Sequence, residues 1–229
     1  MYDIRNIWHH LDYTVKLLSN PFQRKHTLRW IKSLKKDYLF DTPCLWLVFD
    51  AIDYIEPYVL EGVNVFEYGS GGSTLYWLKK GANVVTIEHD PNWSKFMKEK
   101  IRSNQPIDFR LIRSEQIANN QDYDPSDPDN YQSYWIKNMT FFEYVSQIDS
   151  FPDNYFDIIS IDGRARPSCI KHSVSKVKVG GHIILDNSER DYYFLKLGNY
   201  FKDFDKFEFF GSGPGNAVEW KTNIYKRII

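Results

Sequence analysis

Cysteine is scarce in this chain of 229 residues. Cys44 and Cys169 stand far apart, and neither has a second cysteine at metal-binding spacing, which excludes a zinc ribbon and a disulfide framework and fits a reducing cytoplasm. Neither sign of charge is in excess: 29 Lys and Arg meet 30 Asp and Glu, for a formal charge of −1. Nucleic-acid binding through bulk charge is therefore not expected. Long apolar runs are missing too. The stretch from Cys44 to Phe49 falls far short of the roughly 18 to 20 residues that cross a bilayer, and the first thirty residues are studded with His, Asp, Arg and Lys, unlike a signal peptide. No internal repeat or low-complexity tract is evident. What remains is a globular composition, 42% hydrophobic with 17% aromatic and 26% charged residues, enough to bury a full core in one large domain or two small ones. The expectation is a soluble cytoplasmic protein with no membrane and no nucleic-acid partner.

The apolar spacing divides the chain. Residues 1–44 mix aromatic and basic side chains with apolar positions at helical spacing (Val15, Leu17 and Leu18 among them) and read as an N-terminal helical extension. From Leu45 to Leu60 the residues Leu45, Val48, Phe49, Ile52, Ile55 and Val59 recur at three and four, predicting one helix lying on a sheet and broken at Gly62. Strands are then expected at Val63–Phe66, Asn83–Ile87, Ile107–Ile112, Phe156–Ile161 and His182–Leu185, the last entered through a Gly180-Gly181 turn. Helices separate them: Ser73–Lys80 stops at Gly81, and another begins at the Asp90-Pro91 cap and runs to about Arg102. Strands alternating with helices predict an α/β fold, a Rossmann-like doubly wound and mostly parallel sheet. The closing strands, Lys206–Phe210 and Thr222–Lys226, have only a glycine-rich stretch between them, so one terminal strand should run in reverse. Residues 118–137, dense in Asp, Tyr and Pro, are expected to be an insertion forming a lid or substrate wall within the domain spanning 45–229.

The densest chemical signal is Glu67-Tyr68-Gly69-Ser70-Gly71-Gly72-Ser73-Thr74, a strand running into a glycine turn and a helix. Glycines there admit a ligand to the backbone, and the helix start presents free N–H groups. The dinucleotide pattern would require glycine where Thr74 stands, and Glu67 would repel a pyrophosphate, so a nicotinamide oxidoreductase is disfavoured. The second strand ends in Glu88-His89, where a carboxylate can grip a ribose diol. Together these suggest a nucleoside carrying a carboxylate or a positive centre, as in S-adenosylmethionine.

This arrangement resembles the class I S-adenosylmethionine-dependent methyltransferases, whose first motif is E/D-x-G-x-G-x-S/T. The resemblance covers roughly residues 45–229 and implies their seven-stranded sheet with its reversed last strand. It also implies that Gly69, Ser70, Gly71, Ser73 and Thr74 hold the methionine end of the cofactor, that Glu88 meets the ribose, and that Arg113 to Glu115, Ser114 among them, lies near the adenine; Glu67, the acid of the motif, and His89, beside Glu88, are further cofactor-site candidates.

Two further strand ends carry acids: Ile161-Asp162-Gly163 and Leu185-Asp186-Asn187. In a parallel sheet both open on one crevice, and two carboxylates so placed need a positive partner. Either Mg²⁺, an oxygen-seeking ion, or the neighbouring Arg164 and Arg166 can supply it. The pattern is similar to the metal-dependent O-methyltransferases of catechols and caffeoyl esters, and to some sugar O-methyltransferases, which implies Asp162, Asp186 and Asn187 as metal ligands. The catechol enzymes place a lysine where Ala165 stands, so no catalytic lysine carries over; Asp162, Arg164 and Arg166 are the catalytic candidates. His172, His182 and Cys169 read as packing residues, and Tyr192-Tyr193-Phe194 as a pocket wall or a packed helix. The expected activity is methyl transfer to a hydroxyl of a small molecule or sugar with Mg²⁺. The alternatives are a metal-free methyltransferase and a non-catalytic S-adenosylmethionine-binding subunit. Oligomeric state is open, a homodimer included.

Overall fold

The computed structural model describes residues 4–117 and 123–229, so residues 118–122 of the expected insertion lie outside the described residues. The strands in chain order are β1 (Asn64–Tyr68), β2 (Asn83–Glu88), β3 (Ile107–Leu111), the short β4 (Glu115–Gln116) and β5 (Met139–Thr140), β6 (Phe156–Ile161), β7 (Val177–Asp186), β8 (Phe204–Gly211) and β9 (Trp220–Arg227). The helices are α1 (Ile4–Ser19), α2 (Thr27–Ser33), α3 (Tyr38–Asp41), α4 (Phe49–Ile55), α5 (Gly72–Lys79), α6 (Pro91–Lys100), α7 (Phe142–Ser146) and α8 (Arg166–Ser173). Seven strands form one sheet in the order β3-β2-β1-β6-β7-β9-β8, while β4 and β5 pair separately. β1, β2, β3, β6 and β7 are mutually parallel. The last strand, β9, slots between β7 and β8 and runs antiparallel to both. The order reverses beside β1, and helix crossovers cover both faces, as parallel pairing requires.

Side chains alternate across the sheet with the period of two that strands impose. Val65, Ile158, Ile184 and Ile224 face a core shared with α4, α5 and the N-terminal helices. Phe66, Tyr68, Ile159, Ile161, Ile183 and Leu185 face a second core completed by α7 and α8. Two expected boundaries differ. The helix placed at Leu45–Leu60 begins only at Phe49 and gives way to a 3₁₀ turn at Glu56–Tyr58, where Pro57 lacks an N–H to continue it. Residues ahead of it keep helical spacing but are not helical, because Val48 N donates to Thr222 and Phe49 N to the Ser212 carbonyl. β7 starts at Val177, before the Gly180-Gly181 pair, which sits inside the strand where the register against β6 shifts.

The described part of the N-terminal extension, from residue 4 on, packs into the main body. Tyr13, Leu17 and Trp30 belong to the same buried cluster as the sheet. The loop between β8 and β9 hangs on them: Gln23 Oε1 accepts from Ser212 N at 2.9 Å, Trp30 Nε1 donates to the Asn216 carbonyl at 2.7 Å, and Ser33 Oγ accepts from Gly215 N at 2.9 Å. Trp30 is completely buried. Trp30→Ala should therefore destabilise the whole domain by about 3–5 kcal/mol, the range for emptying a large aromatic from a core. A urea midpoint unchanged by the substitution would show that the extension folds apart from the sheet.

Candidate functional site

A cavity of about 480 Å³ opens at the C-terminal ends of β1, β2, β6 and β7, the place where doubly wound sheets bind ligands. Its floor is the loop Gly69–Gly72. Gly69 has φ of +96°, and a Cβ there would come within 3.1 Å of Gly163 Cα; Gly163 in turn leaves room for the Tyr144 hydroxyl. The loops after β1 and β6 can thus touch only through glycine.

Two glutamates hold the loop from beneath. Glu67 is fully buried and accepts from Thr74 Oγ1 at 2.5 Å, Thr86 Oγ1 at 2.8 Å and Trp77 Nε1 at 3.1 Å. Thr74 Oγ1 also accepts from Gly71 N at 2.9 Å and so passes the grip of Glu67 to the loop. Glu88 accepts from Ser70 N and Oγ at 3.1 and 2.8 Å, from His89 N and Asp90 N at 2.7 and 2.8 Å, and from His89 Nδ1 at 3.0 Å. Trp93, on the first turn of α6, donates to the Ser70 carbonyl at 2.7 Å. Burial alone would raise the Glu88 carboxyl, but the His89 ring, Asp90 N–H and Ser70 outweigh it and hold the group below its usual range. Glu67 has no cation beside it among the described residues. Burial pushes its carboxyl up to about 7, against the hydrogen bonds from Ser73, Thr74, Thr86 and Trp77.

The sequence-derived cofactor residues thus divide. Gly69, Ser70, Gly71, Ser73, Glu88 and His89 line the cavity together. Glu67 and Thr74 lie behind it, buried between β1, β2 and α5, and act on the loop at one remove. Ser114 sits on the link from β3 to β4 and is not part of the cavity wall.

On the other side stand the two strand-end acids. Asp162 lines the cavity, and its Oδ1 accepts from Arg166 at 2.7 Å. Arg166 is buried at the start of α8. It also donates to the carbonyls of Gly163, at 3.1 Å, of Asp162, at 3.1 Å, and of Asp186. This one guanidinium fastens the ends of β6 and β7 to each other. Asp186 Oδ1 accepts from Thr222 Oγ1 at 2.5 Å and Trp220 Nε1 at 3.0 Å, both on β9. Burial and the charge of Asp162 push the Asp186 carboxyl well up. Asp162, Asp186 and Asn187 share a side groove with Trp46 and Glu189, and this groove adjoins the main cavity. The second carboxylate oxygens of both acids and the Asn187 amide make no hydrogen bond among the described residues. Asn187 holds a left-handed φ of +49°, an uncommon state for a non-glycine residue. Oxygen donors left over beside two mutually repelling acids fit a hard divalent cation.

The insertion expected as a lid or substrate wall does reach the cavity, through residues the sequence did not single out. Gln132, Ser133 and Trp135 of the insertion line the cavity. The insertion is moored by Lys196 to Asp124 and Asp127, by Tyr131 to His172, and by Tyr134 stacked on Tyr192. Arg190 also lines the cavity; its place just after Asp186-Asn187 was the available signal. Trp220 and Thr222 gave none, because register alone brings them to Asp186. Cys169 is buried with its thiol pushed far up, by burial first, and donates to the Arg164 carbonyl. His182 lies in the core against Tyr58, pushed down to about 4 by burial.

No protein-family profile matches the chain, and no curated relative does. Solved structures do share its fold. A "putative O-methyltransferase" from Klebsiella pneumoniae is similar with a TM-score of 0.56 at 13% identity, over 95% of this chain and 96% of that one. Cofactor-bound Rv0187 from MTB is similar with a TM-score of 0.51 at 13% identity, over 86% of this chain and 88% of that one. The fold is thus a Rossmann-like α/β methyltransferase fold, shared with the putative O-methyltransferase.

The protonation of Glu67 gives a test of the site's foundation. Its folded-state value near 7 lies above the ordinary unfolded value of about 4.3, so the folded state binds the extra proton. Its contribution to stability is complete below pH ~4.3 and is lost as pH rises through ~7. The stability difference between the native protein and Glu67→Gln, followed by urea unfolding, should therefore shift in favour of the variant across that window. A difference independent of pH would place the Glu67 charge elsewhere.

Proposed function

We propose that this chain is an S-adenosylmethionine-dependent methyltransferase acting on a hydroxyl of a small molecule or sugar. The observation that carries the reading is the clasped loop: Ser70 and Glu88 meet at the cavity floor, so a nucleoside's ribose and its polar tail would lie along one continuous wall. The cofactor supplies an electrophilic methyl on a sulfonium centre. The chain's own residues do the positioning. Gly69–Gly72 would admit the tail, Glu88 would accept from ribose hydroxyls in exchange for Ser70, and Asp162, on the cavity wall, would face the acceptor. Orientation of this kind accounts for most of what an in-line methyl transfer needs.

Asp162, Asp186 and Asn187 would hold a divalent ion, which would supply Lewis acidity toward an acceptor hydroxyl. Arg166 already neutralises Asp162, and this favours a second reading in which the guanidinium alone balances the acids and no metal takes part. The two differ in a thermal-shift titration. With metal, Mn²⁺ raises the melting temperature of the chelator-treated protein and Asp186→Asn abolishes the rise; without it, neither protein responds.

Gly71 is extended and nothing crowds its Cβ position, so Gly71→Arg fills the cavity without straining the chain. This variant should keep the native melting temperature and lose at least a hundredfold in affinity for S-adenosylhomocysteine by calorimetry. Unchanged affinity would refute the assignment of the cavity. Production of S-adenosylhomocysteine from S-adenosylmethionine with a panel of diols and sugars separates an enzyme from a subunit that only binds the cofactor.

A further inference from the structure

We propose that the methyl acceptor carries an oxyanion, a carboxylate or a phosphate, clamped by Arg190 and Arg164; this rests on the methyltransferase reading above. Three arginines line the cavity and only Arg166 is spent, since it is locked onto Asp162 and three strand-end carbonyls. Arg164 makes one side-chain hydrogen bond, from Nε to His89 Nε2 at 3.3 Å. The His89 ring, with its proton on Nδ1 facing Glu88, can accept it. Arg190 donates from one Nη to the Tyr193 hydroxyl at 3.0 Å, and its Nε stands 3.9 Å from Glu189, beyond hydrogen-bonding reach. Both guanidinium groups therefore keep N–H donors uncommitted among the described residues, in the forked geometry that matches a planar oxyanion.

No carboxylate lining the cavity hydrogen-bonds to either of them among the described residues. Glu88 is saturated by Ser70, His89 and Asp90, Asp90 caps α6 through Asn92 and Trp93, and Asp162 is held by Arg166. The two forks come from different loops, Arg164 after β6 and Arg190 after β7, and both guanidinium charges act on the Asp162 carboxylate. Trp135 is 66% exposed on the same wall, a flat apolar face for the body of a ring or sugar while its charged end meets the arginines.

The experiment titrates inorganic phosphate and, separately, benzoate into the protein saturated with S-adenosylhomocysteine, with benzyl alcohol as the uncharged match of benzoate. An oxyanion should bind saturably where benzyl alcohol does not. Affinity should fall at least tenfold in Arg190→Gln, recover in part in Arg190→Lys, and fall in Arg164→Gln, while S-adenosylhomocysteine binds Arg190→Gln within twofold of its native affinity. Preference for phosphate or benzoate identifies which oxyanion the clamp suits. The proposal is overturned if neither anion binds the native protein, or if binding is indifferent to both substitutions. Competition with S-adenosylhomocysteine also overturns it, because the arginines would then serve the cofactor's own carboxylate. Should S-adenosylhomocysteine itself not bind, the methyltransferase reading fails, and the same titration on the protein alone still decides the oxyanion site: loss in Arg190→Gln upholds it and retention refutes it.

Discussion

Two buried glutamates on neighbouring strands hold the glycine loop from beneath, and the cavity depends on that grip. Glu67, on β1, reaches the loop through Thr74, whose hydroxyl donates to the carboxylate while accepting from Gly71 N–H. Glu88, on β2, takes both Ser70 donors directly. The loop is otherwise a run of glycines with large conformational freedom, and fixing it costs entropy that these bonds offset. The two acids use different means to remain inside. Glu88 is surrounded by donors and keeps its charge, whereas Glu67 is ringed by neutral groups and is raised toward neutrality by burial.

The opposite wall is built around Arg166. Burying a guanidinium is costly unless nearly every donor is used, and here they are, on one carboxylate and three carbonyls. The residue stands at the start of α8, just after Ala165 in a left-handed conformation, so the chain turns sharply enough to aim the side chain back across the strand ends. One cation then joins β6 to β7 and sets the position of Asp162. Asp186 is oriented by β9 instead, through Trp220 and Thr222, and the loop leading into β9 is hung on the N-terminal helices. The extension thereby bears on the site through β9, and its own Leu39 and Phe40 line the cavity directly.

Much of the fold was legible because parallel strands buried on both faces read as short apolar runs, and Phe156–Ile161 is such a case. The start of β7 was not, since a glycine pair signals a turn, and only pairing with β6 reveals a bulge inside a strand. Periodicity likewise could not show that 45–48 lies outside the helix, because long-range bonds to Ser212 and Thr222 decide it. In the site, the motif residues that face the cavity were named from local pattern alone. Whether an acid points at a ligand or into the core depends on which face of β1 it occupies, and so Glu67 was legible as important and illegible in its direction. Partners distant in sequence, such as Trp220 for Asp186, leave no local trace.

The most direct test is a crystal structure of the complex with S-adenosylhomocysteine, grown with Mn²⁺ and measured at the manganese absorption edge. The account expects the nucleoside along Gly69–Gly72 with its ribose on Glu88, and Arg166 still bound to Asp162. An anomalous peak among Asp162, Asp186 and Asn187 would assign the metal reading, and its absence the arginine reading. A nucleoside bound elsewhere, or a ribose that leaves Glu88 clasped to Ser70, would contradict the account.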